Sequence, residues 1–140
     1  IEFYQEIISL KARKRGFHII TDEIENALPQ IKKIKIGMLQ VFIQHTSASL
    51  CINENADFTV RQDFETFFNK TVKEDDPDYQ HNYEGSDDMP AHLKAALLGC
   101  SITIPIRNGY LALGTWQGIY LCEHRNYATQ RQLVITAWGN

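Results

Sequence analysis

The chain is short of the features that fix a protein's class by themselves. It has 3 cysteines, Cys51, Cys100 and Cys122, and no C-x-x-C pair. Their odd number and their placement in apolar runs weigh against a disulfide framework and fit reduced thiols, as expected of a cytoplasmic protein. No apolar run approaches the roughly 18 residues of a membrane span, and no signal-peptide pattern opens the chain. Basic clusters are also scarce. The one at 11–15, "KARKR", sits in a chain of net charge −3. It reads as a solvated turn, so a nucleic-acid partner is not expected. There is no P-loop, no G-x-G-x-x-G and no G-x-S-x-G, which removes the common phosphate cradles and the serine nucleophile elbow. Nothing near the thiols argues for a nucleophilic cysteine. Repeats, linkers and low-complexity tracts are absent too, so the 140 residues read as one domain, 1–140, and 44% hydrophobic residues suffice for a core.

What is present is mostly strand pattern. "FYQEIISLKA" and "GFHIIT" open the chain as strands. "TDEIENALPQI" reads as a helix, with Thr21 or Asp22 as cap and Pro29 as its limit. "GMLQVFIQHT" alternates, putting Leu39, Val41, Ile43 and His45 on one face. "SLCINE" follows as another strand. Val60, Phe64, Phe67, Phe68 and Val72 then make a helical stripe, which Asp57 or Thr59 can start. A polar loop, "KEDDPDYQHNYEGSDD", leads to a short helix that Asp88 is expected to cap, with Pro90 in its first turn and Gly99 at its end. "CSITIPI", the turn Asn108-Gly109, a kinked return through "YLALGTWQGIYLCEH", and "QLVITAW" complete the chain. The expected fold is α+β: mostly antiparallel sheets packed as a sandwich, with two or three helices outside.

Candidate chemistry lies at the ends of these elements. His45 closes a core-facing row, where an imidazole can be a ligand, a base, or simply satisfied by a neighbouring carbonyl. With His81 in the polar loop and His92 in the following helix it can close around zinc, although no two histidines have H-x-x-x-H spacing. Asn53, Asn55 and Asp57 can hold an oxygen-loving ion such as magnesium, or shape a turn and cap a helix. Glu123 ends a row with Ile119 and Leu121. A carboxylate there needs a partner, whether a histidine, a metal, Arg125 or Arg131. Trp116 and Gln117, between Gly114 and Gly118, offer a stacking face or ordinary packing.

Three stretches, "HTSASLCINENAD", "HNYEGSDDMPAHLKAALLG" and "GTWQGIYLCEHR", in this order and at these separations, closely resemble the YjbQ family, also called the secondary thiamine-phosphate synthase family. The resemblance runs from Lys14-Arg15-Gly16-Phe17-His18 to the closing "WGN". It implies a compact α+β fold, a homotrimer, and thiamine-phosphate synthase activity on small-molecule substrates. Residues matching its motifs are His45, Asn53, Asn55, Asp57, His81, Gly85, Asp87, His92, Lys94, Trp116, Gln117 and Glu123. On this reading His45, Asn53, Asp57, His92 and Glu123 are catalytic. Asn55, Lys94, Trp116, Gln117 and Arg125 bind substrate, with Lys94 and Arg125 on the departing pyrophosphate. His45, His81 and His92 hold a divalent ion, magnesium or zinc. The other reading is a zinc-dependent hydrolase, or a metal- or anion-binding protein with a different role. Cys51 and Cys122 stand where relatives carry threonine or glycine, which argues against either thiol as a ligand.

Overall fold

A computed structural model describes residues 1–140. The elements are β1 (Glu2–Leu10), β2 (Gly16–Ile19), α1 (Thr21–Ala27), a short 3-10 turn (Pro29–Lys33), β3 (Ile36–Ile43), β4 (Ala48–Glu54), α2 (Phe58–Thr71), α3 (Asp88–Leu98), β5 (Ser101–Arg107), β6 (Tyr110–Leu111), β7 (Gln117–Glu123) and β8 (Arg131–Gly139). The eight strands form two antiparallel sheets, one ordered β1-β8-β3-β5-β6 and the other β2-β7-β4. The α+β class and the antiparallel sandwich are as the sequence pattern predicts.

Alternation builds the core between the sheets. Leu39, Val41 and Ile43 of β3, with Leu133, Ile135 and Ala137 of β8, meet Leu50 of β4 and Ile119 and Leu121 of β7. All of these side chains are buried, and burial of such apolar area drives the two sheets together. A second, smaller core lies on the other face of the three-stranded sheet. Phe17, Tyr120 and Cys122 pack there against Phe64 and Phe68 of α2. The outer face of the larger sheet has no cover. Phe3, Trp138 and Met38 form one row across β1, β8 and β3, and Ile7, Val134 and Phe42 form another. Phe3, Ile7 and Phe42 are exposed.

Three local readings change. The "YLALGTWQGIYLCEH" segment is not one kinked strand. Tyr110–Leu111 pairs with β5 in the large sheet, while Gln117–Glu123 joins the small one. Gln117 Oε1 accepts from Gly114 N–H at 2.7 Å, closing the turn between them. Asp57 does cap α2, its carboxylate accepting from Thr59 N–H at 2.9 Å. Asp88, by contrast, makes no cap. It is the first residue of α3, with Asp87 at the cap position, and its side chain turns to other partners. At α1 no side chain caps the helix, and Thr21 Oγ1 accepts from Ile119 N–H instead.

Candidate metal centre

Asp88 and His92 are one turn apart on α3, so their side chains leave the same face. His81 reaches them from the polar loop. Its Nε2 lies 2.6 Å from Asp88 Oδ2, and His92 Nε2 lies 3.2 Å from the same oxygen. The ligand atoms of the three residues all fall within 4.8 Å of one another. Asp88 is buried, whereas the His81 side chain is 44% exposed, so the cluster opens to solvent on the loop side.

Each member is oriented from behind. His92 Nδ1 donates to the Thr46 carbonyl at 2.8 Å, which fixes the ring with Nε2 turned toward Asp88, the nitrogen a metal would take on losing its proton. This is the arrangement by which an outer partner fixes a metal-binding imidazole. Arg125 Nη1 donates to Asp88 Oδ1 at 2.5 Å, leaving Oδ2 for the cluster. The same guanidinium bonds Asp87 Oδ2 at 2.9 Å and the Glu84 carbonyl at 2.8 Å, tying loop, helix and the end of β7 together. Burial raises the Asp88 carboxyl. The bond from His81 and the charges of His92 and Arg125 outweigh it and hold the acid below its usual range. The loop that carries His81 is moored further back, where Glu74 pairs with Arg15.

The other residues singled out from the sequence have different surroundings. His45 stands outside the three-residue cluster. Its Nε2 accepts from the Gln132 backbone N–H at 2.8 Å, and burial, helped by the charge of Arg131, pushes the imidazole toward its neutral form. Glu123 is fully buried in a two-bond pair with Arg131, with Nε to Oε1 at 2.7 Å. Lys94 is buried too and donates to Asn69 Oδ1 at 2.8 Å. Asn53 accepts from Glu54 N–H, and Asn55 donates to the Thr115 and Gln117 carbonyls. Asn53, Trp116 and Gln117 line a shallow hollow of their own at the far end of β4. That end is about 20 Å from Ala48 at the strand's rise per residue, so the polar residues of "HTSASLCINENAD" are divided between two ends of one strand. Asp88 is the member that sequence reading missed, having been taken only as a cap. The signal was available as Asp88-x-x-x-His92, a carboxylate in the place of the first histidine of a helical ligand pair.

On the opposite side of β7 from Glu123, His124 is buried against Phe17, with Nε2 2.8 Å from Ser49 Oγ. Burial first, and then the charges of Lys94, Arg131 and Arg15, push its pKa from 6.5 down to about 3. The folded state therefore refuses a proton that the unfolded chain accepts below about pH 6.5. Stability falls as pH drops through that value toward 3, by about 1.4 kcal/mol per unit at the steepest. His124→Gln should flatten the acid limb of stability measured by urea unfolding at pH 7 and pH 4.5. An unchanged slope would show that other groups govern it.

The whole chain can be compared with known proteins. The family model for UPF0047 protein YjbQ-like proteins matches residues 6–140. The UPF0047 protein YjbQ of Escherichia coli O157:H7 is 49% identical over 137 residues, covering 98% of this chain and 99% of that protein. A UPF0047 protein of Synechocystis sp. is 45% identical, covering 97% of this chain and 92% of its own length. Among solved structures, a YjbQ/UPF0047 family protein of Clostridium acetobutylicum matches with a TM-score of 0.82 at 38% identity, over 93% of this chain and 97% of that one. A YbjQ-like protein of unknown function from Sulfolobus solfataricus matches with a TM-score of 0.86 at 28% identity, over 99% of both chains. These relatives carry family names without an activity, and the Sulfolobus protein is described as of unknown function. The thiamine-phosphate synthase activity implied by the resemblance is thereby corrected, and the pyrophosphate roles of Lys94 and Arg125 lapse with it. Both cations also have protein partners here, Asn69 for Lys94 and the two aspartates for Arg125. A match over residues 6–140, with relatives near half identity over almost their whole length, settles the lineage: this chain belongs to the YjbQ/UPF0047 family.

Proposed function

We propose that this protein binds a divalent transition metal through His81, Asp88 and His92, and presents that ion to a small-molecule substrate. The observation that carries the reading is the convergence of three ligand atoms within 4.8 Å, with the tautomer of His92 already set by Thr46. Two imidazoles and one carboxylate suit zinc and its neighbours better than magnesium, which prefers oxygen throughout. Three protein ligands leave a coordination position open, the pattern of sites that act on a bound molecule. An ion held so supplies a Lewis acid and an acidified water. The chain's own part is to orient the imidazoles, keep one carboxylate oxygen free, and leave the loop side accessible.

Elemental analysis of untagged protein, followed by zinc titration of chelator-treated protein, tests this. One ion per chain is expected, with a rise in the thermal midpoint as zinc is added, because a ligand of the folded state stabilises it. Zinc content at buffer level and an unmoved midpoint would sink the reading. The uncovered rows on the larger sheet, Phe3-Trp138-Met38 and Ile7-Val134-Phe42, support self-association in the homotrimer that the resemblance implies. Light scattering should then give three times the 16.1 kDa chain mass. A monomer at micromolar concentration would refute it.

A further inference from the structure

Beside the candidate metal centre lies a cleft of about 560 Å³. This is within the usual size of small-molecule sites, roughly 300–1,000 Å³. His92 belongs to both, with Nε2 at the cluster and its ring in the cleft wall. From there the cleft follows α3 past Ala95 to Gly99, with Ala48 of β4 opposite and His45 at the rim. Its walls carry no lysine, arginine, aspartate or glutamate. Their small side chains leave room for the body of a ligand, and they supply no charge to recognise it.

One polar group in the wall is fixed. Because His45 Nε2 accepts from the Gln132 backbone N–H, its proton sits on Nδ1. That N–H makes no hydrogen bond within the chain. The cleft therefore offers small, uncharged walls, with Thr46 and Cys100 among them, and the neutral His45 Nδ1–H donor, alongside the cluster's ligand atoms.

We propose that this cleft seats the apolar body of a small organic anion, such as a short-chain carboxylate, whose head group binds the metal while an oxygen accepts from His45 Nδ1–H. This rests on the metal reading above and adds to it the class of molecule that the open position takes. Charge is read by the ion alone, since no cationic side chain lines the cleft. Selection among anions then comes from the length and width of the apolar part.

The test uses the full chain loaded with cobalt(II), whose visible absorption reports its ligands, titrated with acetate, butyrate and hexanoate. All three acids should shift the cobalt band. Affinity should rise roughly 3–4-fold for each added methylene, as expected for burying it. Ala95→Leu, which fills the cleft without touching a ligand, should keep the cobalt band and acetate binding while abolishing the gain with chain length. Equal affinities for the three acids, or an undiminished gain in Ala95→Leu, would overturn the proposal. A chain that gives no cobalt band at all would instead overturn the metal reading, and this proposal with it.

Discussion

Asp88→Ala is expected to abolish zinc binding at micromolar metal, and Asp88→Asn to weaken it by more than about 100-fold. Both changes remove the only anion among the three ligand atoms that converge there. An outer partner costs less when lost, roughly 10–100-fold, and Arg125 is such a partner through Asp88 Oδ1. Arg125→Met should therefore fall between the aspartate variants and the wild type. His45→Ala should leave zinc affinity unchanged, since its Nε2 is engaged by Gln132 and lies outside the cluster. Isothermal titration across these four variants checks the order. Zinc binding lost in His45→Ala but kept in Asp88→Ala would mean that the metal sits elsewhere, between His45 and His92. The asparagine variant guards against a folding artefact, because Arg125 keeps its bonds to Asp87 and the Glu84 carbonyl.

Arg131→Met should lower stability by about 3–5 kcal/mol, the cost of leaving a buried charge without its partner. Glu123 is fully buried and Arg131 is 5% exposed. Two guanidinium nitrogens bond the two carboxylate oxygens, and Arg131 Nη2 also reaches Ser47 Oγ at 3.0 Å. Once the cation is gone, the carboxylate keeps only a backbone N–H, that of Arg125 at 3.2 Å. In urea the midpoint should move down by about 2 M, for a slope of 1–3 kcal/mol/M. The double variant Arg131→Met with Glu123→Leu should recover most of the loss, because an apolar pair avoids the desolvation that the ion pair must offset. If the single variant unfolds at the wild-type midpoint, water reaches Glu123 and the pair is not a buried one. The same residue is then open again as a site candidate.

Patterns with a period were legible in the amino-acid order. Leu39-Val41-Ile43 alternates and is buried as a row in β3. Phe64 and Phe68, one helical turn apart, do pack on Phe17. Asp57 caps α2, and the Asn108-Gly109 turn joins β5 to β6. These depend on neighbours within a few residues, so the local sequence carries the whole signal.

The candidate site was only half legible. Family motifs gathered His81, His92 and Asp87 into one region, and they also drew in Asn53, Trp116 and Gln117, which the tertiary structure sets at the other end of β4. Asp88 looked like a cap because an acid before a helix usually is one. Its partners beyond His92 are His81 on a loop and Arg125, 37 residues further along the chain. No local rule contains such contacts. Likewise Glu123 was read with Arg125 and Arg131 both open, and the packing of the two sheets, which brings the end of β7 to the start of β8, decided for Arg131. The sequence by itself determined most of the elements, the antiparallel sandwich and the family, since periodicity and motif order are properties of the linear chain. Which polar ends meet, and so whether a histidine is a ligand, a wall or a buried neutral ring, was decided only when two sheets and a loop closed on one another, because burial and hydrogen-bond partners are assigned by distant segments.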